Sequence, residues 1–196
     1  MTFLIVGLLF LCFFIALELI KRHYKINAEF TRKFAHIFGG AGVLISINYI
    51  SKSEFIFLTT LFLIGFSISH RTKLLKSFTE LPRKTYGEIT YLLGLAVLGY
   101  FFFDTRNLFI CGILLLMFPD SLAGLIGYRI NKNRKTFVGS TVYFIITVII
   151  LIMFFPIYFV ILTAIILTLV EYISPYGFDN FTVPIVYVLL IKLFLI

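Results

Sequence analysis

The chain of 196 residues has no tryptophan, two cysteines, five prolines and few charged side chains. Charged residues make up 13% of the sequence, whereas soluble domains carry about 25%, and this scarcity excludes a water-soluble globule. Polar connections reach only about a dozen residues, which is too few to enclose a separate core. Cys12 and Cys111 lie in apolar stretches without metal-ligand spacing, so we interpret them as small buried side chains.

Hydrophobic residues, in contrast, make up 61% of the chain and include 25 Phe and 11 Tyr. A helix needs about 17–25 apolar residues to cross a hydrocarbon core about 30 Å thick. The sequence therefore predicts an all-α integral membrane protein with about eight transmembrane helices and no soluble domain, with seven helices as the alternative. Pro156 divides the longest uncharged run in two. The predicted spans are Thr2–Ile20, Phe34–Ile50, Glu54–Ser69, Tyr86–Phe103, Asn107–Tyr128, Val138–Phe155, Ile157–Ile173 and Phe181–Ile196.

The distribution of basic residues predicts the orientation. Fourteen of the 17 Lys and Arg residues fall in the segments Lys21–Lys33, Arg71–Lys84 and Arg129–Lys135, which share one face when eight spans are counted. The positive-inside rule assigns that face to the cytoplasm. We expect one membrane domain over residues 1–196 in a prokaryotic cytoplasmic membrane, with the active site at the cytoplasmic face. Because topology explains most of the net charge of +8, the charge does not indicate nucleic-acid binding.

Ionisable residues inside membrane spans are costly and mark candidate functional positions. In the segment RKFAHIFGG, Arg32 and His36 share one helix face, and the glycines that follow allow a ligand or a helix to approach closely. His36 is either hydrogen-bonded to a neighbour or catalytic. Glu88 lies about one turn inside the fourth span. It either pairs with Arg83 or Lys84 or acts as a metal ligand or general base.

Asp120 is the strongest single candidate. It follows Pro119 and shares one helix face with Ala123, Gly124 and Gly127. This face combines a carboxylate with a groove of small residues, which suits a nucleotide or a closely packed helix. A functional role is favoured because an unpaired buried aspartate is expensive.

Two further segments carry polar residues next to predicted helix starts. A lysine, hydroxyl groups and a glycine precede or open the sixth span, a combination that can bind phosphate at a helix N-terminus. The order is not that of a Walker A loop, and N-capping by Ser140 is the simpler interpretation. Glu171, Asp179 and Asn180 either cap the last span or contribute to Mg²⁺ or nucleotide binding. Acids and bases at one membrane level indicate phosphoryl or nucleotidyl transfer to a lipid.

Five ordered motifs cover most of the chain: RKFAH at 32–36, TYGEITYLLG at 85–94, PDSLAGLIG at 119–127, KTFVGS at 135–140 and the segment Glu171–Pro184. Together they resemble the family of CTP-dependent lipid kinases that includes dolichol (polyprenol) kinase, phytol kinase and the CTP-using diacylglycerol kinase. The resemblance implies an enzyme that uses CTP and Mg²⁺ to phosphorylate a membrane lipid alcohol. Many relatives have Gly-Asp-Ala around the position of Asp120 and Glu-Gly-Ser before the position of Ser140, so the local loop geometry differs in this chain.

The resemblance implies that Asp120 matches the acidic nucleotide or metal position of the family, that Lys135, Gly139 and Ser140 match its phosphate-contacting stretch, and that Arg32 and Lys33 match its N-terminal basic motif. From the chemistry of the side chains we expect Asp120 and Asp179 to hold Mg²⁺, and Asp120 to be catalytic together with Glu88 or His36, one of which accepts the proton of the alcohol. The expected nucleotide-binding residues are Arg32, Lys33, Lys135, Thr136, Gly139, Ser140 and Asn180.

Two other functions compete with a kinase. A CDP-diacylglycerol synthase-like cytidylyltransferase also uses CTP and has an Asp followed by Lys-Thr-x-x-Gly, but its ending usually contains His-Gly-Gly and Asp-Arg, where this chain has Asp179-Asn180 and Pro184. A small secondary transporter places ionisable residues near the membrane midplane, which disagrees with their predicted position near one surface. The sequence leaves the alcohol and the oligomeric state open.

Overall fold

The computed structural model describes residues 2–80, 84–131 and 135–195, and the regular structure in these ranges is entirely α-helical. The ten helices of the described residues are α1 Thr2–Tyr24, α2 Ala28–Ser46, α3 Lys52–Thr72, α4 Lys76–Thr79, α5 Gly87–Phe102, α6 Arg106–Met117, α7 Pro119–Ile130, α8 Phe137–Leu151, α9 Ile157–Ile173 and α10 Asp179–Phe194. Each predicted span overlaps at least one of these helices, and the expected all-α membrane fold is confirmed.

In the part of the chain that the structure describes, three helical segments are long and apolar enough to cross a bilayer: Thr2–Tyr24, Lys52–Thr72 and Arg106–Ile130. Shorter apolar helices accompany them, among them Ile157–Ile173, whose bounds match the prediction. Large apolar side chains such as Leu9 and Leu169 are more than half exposed, at 65% and 58%. A surface of this kind requires hydrocarbon around it, so the chain is an integral membrane protein.

Local sequence explains where several helices begin. The Asn27 side chain accepts a hydrogen bond from Glu29 N and caps α2. Ser51 and Glu54 form a capping box at α3. Phe118 separates α6 from α7 because Pro119, which follows it, has no N–H to continue the hydrogen-bond ladder. Pro156 precedes α9, as the predicted division of the long apolar run requires.

Two features differ from the predicted spans. Helix α2 begins at Ala28, six residues before the predicted start at Phe34. Arg32 and Lys33 therefore lie inside the helix and are only 2% and 1% exposed, because acidic partners make burial of their charges possible. The short helix α4 lies in a segment that was predicted to be a loop.

The centre of the bundle is formed by α5, α6 and α10. Leu98, Phe109, Ile113 and Ile191 from these helices have no exposed surface. Helix α1 lies outside this centre, and only four of its residues are buried. The central helices thus provide a rigid frame against which α2, α7 and α8 place the polar residues.

Candidate active site

A polar cavity of about 490 Å³ opens among the ends of α2, α5, α7, α8, α9 and α10. Candidate residues from four separate sequence motifs contribute to its lining. The lining includes these polar residues and glycines of the sequence motifs: Arg32, Asp120, Gly124, Gly127, Lys135, Thr136, Gly139, Ser140, Glu171 and Asp179. The cavity therefore brings together most of the residues that the sequence singled out.

Asp120 contributes a carboxylate from the first turn of α7. Its Oδ2 lies 2.5 Å from the Lys33 ammonium, which also donates to the Asp120 carbonyl at 3.0 Å. A Cβ at Gly124 would lie 2.5 Å from Lys33 Cε. The small residue predicted to form a groove therefore makes room for the lysine that neutralises Asp120.

Arg32 reaches the same cavity from α2. Its Nη2 donates to Glu29 Oε1 at 2.8 Å, and the pair is almost completely buried. A Cβ at Gly87 would collide with Arg32 Nη1, so the glycine at the start of α5 leaves space for the guanidinium. A guanidinium in a fixed position can bind phosphate through several N–H groups.

Lys135 lies in the loop before α8, and two carboxylates hold it. Its Nζ is 2.6 Å from Asp179 Oδ2 and 2.6 Å from Glu171 Oε1, and it also donates to the Glu171 carbonyl. Burial favours a lower pKa for Lys135, but the carboxylates of Asp179 and Glu171 outweigh burial and raise the pKa above its ordinary value. The side chain is therefore a permanent cation at neutral pH.

The start of α8 corrects one prediction. Thr136, rather than Ser140, is the N-cap, and its hydroxyl accepts a hydrogen bond from Gly139 N at 3.1 Å. Ser140 already lies inside the helix, where its hydroxyl donates to Glu171 Oε2 at 3.4 Å. A Cβ at Gly139 would lie 3.2 Å from the Ala123 carbonyl, so the glycine allows α7 and α8 to cross closely.

Asn180 is buried at the start of α10, and its side chain donates to the Gly87 carbonyl at 3.1 Å. Its backbone N–H donates to Asp179 Oδ1 at 2.9 Å. Through these contacts Asn180 positions both Asp179 and the start of α5. Asp179 lines the polar cavity, and Asn180 lies next to it in the chain.

His36 and Glu88 line a second cavity, the apolar cavity, between α1, α2, α3 and α5. His36 is also close to the polar cavity, with its Nδ1 3.8 Å from Asp120 Oδ2. The Tyr91 ring stacks on the imidazole at 4.3 Å, and the Tyr91 hydroxyl donates to the His36 carbonyl at 2.9 Å. His36 therefore lies in the wall between the two cavities.

His70 is a polar partner that sequence reasoning missed. Its Nδ1 lies 2.6 Å from Glu88 Oε1, in place of the expected pairing of Glu88 with Lys84 or Arg83; Arg83 lies outside the described residues. The available signal was a histidine at the end of an apolar span, since ionisable residues at span ends often find a partner inside the bundle.

The cavity fits a magnesium–nucleotide complex better than a metal held by protein alone. Within residues 2–80, 84–131 and 135–195, no group of three or more His, Cys, Asp or Glu residues could hold a metal ion. Mg²⁺ at nucleotide sites takes only one or two carboxylates and completes its shell with phosphates and water. Asp120 and Asp179, which both line the polar cavity, match that limited ligand set.

The chain is similar to the phytol kinase of Synechocystis sp., with 31% identity over 187 aligned residues. The alignment covers 86% of this chain and 80% of the relative, and so most of both proteins. No family model matches the chain, and no solved structure matches it.

Proposed function

The chain belongs to the polyprenol/phytol kinase family of membrane lipid-alcohol kinases, and we propose that it transfers the γ-phosphate of CTP to the hydroxyl group of an isoprenoid alcohol. The observation that carries this proposal is the grouping of three basic residues and three carboxylates in the lining of one cavity. The residues are Arg32, Lys84, Lys135, Asp120, Glu171 and Asp179, and Lys33 pairs with Asp120 next to the cavity. Phosphoryl transfer depends mainly on such positioning and charge neutralisation.

The phosphates of the donor would bind between α2 and the start of α8. Arg32 on α2 and Lys135 before α8 both supply positive charge to the polar cavity, although they are far apart in the sequence. Gly139 and Ser140 lie in the first turn of α8, whose N-terminal dipole favours an anion. Lys135 can exchange the carboxylates of Glu171 and Asp179 for phosphate oxygens because its flexible side chain needs only a small movement. The choice of CTP rests on the resemblance of the five motifs.

Asp120 is the proposed principal ligand of Mg²⁺, with Asp179 as the second when Lys135 moves to phosphate. The metal would neutralise charge on the phosphates during transfer. Lys33 keeps the Asp120 carboxylate ionised and oriented through its 2.5 Å contact. Asn180 fixes the start of α10 and with it Asp179.

The acceptor reacts by in-line displacement. The alcohol oxygen forms a bond to the γ-phosphorus as the bond between that phosphorus and the β–γ bridging oxygen breaks, so CDP leaves. The alcohol proton passes to Glu88 or His36, which line the apolar cavity next to Asp120. Both residues are almost fully buried, which keeps water from competing as acceptor.

The polar cavity is proposed to face the cytoplasm. Arg32 of α2 and Lys135, just before α8, line this cavity, and the positive-inside rule favours retention of the basic segments to which they belong in the cytoplasm. CTP is a cytoplasmic metabolite, so this orientation gives the donor direct access, while the alcohol arrives from the bilayer.

The experiment is a transfer assay with the purified chain in liposomes, Mg²⁺, and each of CTP, ATP, GTP and UTP in turn. Phytol, a polyprenol and diacylglycerol are the acceptors. We expect a phosphorylated isoprenoid alcohol with CTP and at most a small amount with the other nucleotides. Lack of transfer from every nucleotide to every alcohol would refute the proposal, and transfer from ATP alone would refute the choice of donor.

A further inference from the structure

The apolar cavity runs along α2 from His36 to Ser46, a distance of about 15 Å, or half of a hydrocarbon core about 30 Å thick. Its walls are side chains of α1, α2, α3 and α5. Aromatic and aliphatic groups dominate them: Val6, Phe10, Phe14, Ala35, Val43, Phe55, Leu58, Phe62, Phe66, Leu92 and Leu95. Four helices thus enclose a hydrocarbon environment inside the protein.

The polar side chains of the cavity are divided between its two ends. Ser46 and Thr59 donate to carbonyls of their own helices, at 2.9 Å and 2.8 Å, so they are satisfied. His36 and Glu88, at the other end, are 2% and 4% exposed. Both His36 ring nitrogens and Glu88 Oε2 lack a hydrogen-bond partner among the described residues. Such positions favour a ligand that forms hydrogen bonds, because a buried polar group without a hydrogen-bond partner costs free energy.

The end of the apolar cavity that contains His36 and Glu88 lies beside the polar cavity, where the phosphate donor is proposed to bind. His36, which lines the apolar cavity, has its Nδ1 3.8 Å from Oδ2 of Asp120, which lines the polar cavity. The opposite oxygen of Glu88 is held by His70 at 2.6 Å, which leaves Oε2 as its free acceptor among the described residues. A hydroxyl group at this end would therefore be next to both candidate bases and close to the metal-binding carboxylate.

The segment around α4 closes the same end of the cavity. Phe78 lines the cavity and packs edge-on against Phe66, with ring centroids 5.1 Å apart. Ser77 N donates to Glu18 Oε2 at 2.8 Å, and the Thr31 hydroxyl donates to the Ser77 carbonyl at 3.1 Å. These contacts hold Phe78 in place, so a hydrocarbon chain in the cavity would extend away from it, toward Ser46.

We infer that the apolar cavity binds the hydrocarbon tail of the acceptor, as a single isoprenoid chain whose hydroxyl group lies between His36 and Glu88. This inference rests on the proposed function. The cavity is small, about 70 Å³, so any bound chain has to spread the phenylalanine side chains, and one chain requires less displacement than the two chains of diacylglycerol. Helix α1 is mostly exposed along its length and covers the cavity on the lipid side. A hydrocarbon tail that enters the cavity from the bilayer would therefore displace α1.

Gly39 provides a direct test because it is buried, lines the cavity and has open space around its missing Cβ. Gly39→Leu places a side chain in the proposed tail site, and its Cβ meets no atom within 4 Å. Gly65→Leu is the matched control: Gly65 is also helical and also has open space, but it is exposed on α3. Both substitutions replace glycine within a helix and so change helix propensity alike.

The first measurement is photo-cross-linking without nucleotide, using an isoprenoid alcohol with a diazirine on its tail, in liposomes of the full chain. We expect labelled peptides from the cavity walls, competition by phytol, and about tenfold less labelling in Gly39→Leu but not in Gly65→Leu, because loss of as few as two buried methylene groups weakens binding by that factor. Equal labelling of all three proteins would overturn the inference.

The second measurement is the acceptor profile in the transfer assay. Gly39→Leu should raise KM about tenfold for phytol and also raise KM for the shorter alcohol geraniol, because Gly39 lies only one helical turn from His36, while Gly65→Leu follows the wild type with both. If the wild type transfers phosphate but Gly39→Leu has unchanged KM values for both alcohols, the proposed tail site is wrong and the proposed kinase activity stands. Cavity labelling without any transfer would reject the kinase and keep the tail site.

Discussion

The Lys33 ammonium lies 2.5 Å from Asp120 Oδ2. This contact joins α2 to α7, and the two residues are 87 positions apart in the chain. Lys33 is 1% exposed, so neither charge can be removed without affecting the other. The pair places the carboxylate at the wall of the polar cavity and links two of the sequence motifs. It also means that substitutions at Asp120 change both charge balance and chemistry.

Asp120→Asn should lower kcat by about 10²- to 10³-fold, because removal of a group that stabilises transferring charge has effects of this size. The substitution also leaves Lys33 buried without its partner, which costs about 3–5 kcal/mol of stability. Steady-state kinetics and denaturant unfolding measure the two effects separately.

The companion variant is Lys33→Met combined with Asp120→Asn. It removes both charges, and we expect much of the lost stability to return while activity stays low. A restored fold with wild-type turnover would remove Asp120 from the catalytic machinery.

Gly124→Ala should reduce kcat by about 10- to 100-fold with little change in folding, since displacement of a positioning group by about 1 Å has consequences of this order. The new methyl group would lie 2.5 Å from Lys33 Cε and push the ammonium away from Asp120. Gly65→Ala, at an exposed helical position with open space, is the control. Equal activity of the two variants would show that the position of Lys33 is unimportant.

Lys135→Met should raise KM for CTP by about tenfold or more, since the lost charge-assisted hydrogen bonds are each worth about 1.5–3 kcal/mol, and Lys135→Arg should recover part of the affinity. Because the carboxylates of Asp179 and Glu171 raise the Lys135 pKa above 10.5, the lysine stays charged through neutral pH. Its contribution to stability is complete below the ordinary pKa and is lost only as pH rises through the higher folded value. A Lys135-dependent change in CTP binding between pH 6 and pH 9 would contradict this assignment.

His70→Phe should lower kcat about tenfold and leave KM for CTP unchanged, because His70 contacts Glu88 and not the polar cavity. Glu88→Gln should lower kcat further, with the same unchanged KM for CTP. A rise in KM for CTP in either variant, with kcat preserved, would place this pair in the donor site instead.

The sequence predicted the helices well because apolar runs of membrane length carry a strong signal. Pro156 marked a helix boundary correctly, since proline cannot continue a hydrogen-bond ladder, whereas the boundary at Pro119 falls inside the predicted span Asn107–Tyr128 and was not predicted. The start of α2 was placed too late, because Arg32 and Lys33 look like interfacial residues until their partners are known. Those partners are Glu29, close in sequence, and Asp120, which only the folded chain brings near.

Side-chain pairing between distant segments was beyond reach of the sequence. Lys135 and Asp179 were each selected as candidates, but nothing in their spacing specified that they bind one another. His70 was missed because an isolated histidine at a span end has no pattern around it. The division into a polar cavity and an apolar cavity, with His36 between them, follows from helix packing that a single sequence does not encode in local motifs.

The most direct measurement of the central claim uses CTP that carries one label on the γ-phosphate and another on the cytosine ring. The purified chain is incubated with Mg²⁺ and either phytol or a polyprenol, the acceptors of a kinase, or phosphatidate, the acceptor of a cytidylyltransferase, and the lipid fraction is separated. A lipid-alcohol kinase places the γ-phosphate label in the lipid and leaves the cytosine label in water-soluble CDP. Cytosine label in the lipid would instead identify a cytidylyltransferase and contradict the kinase assignment.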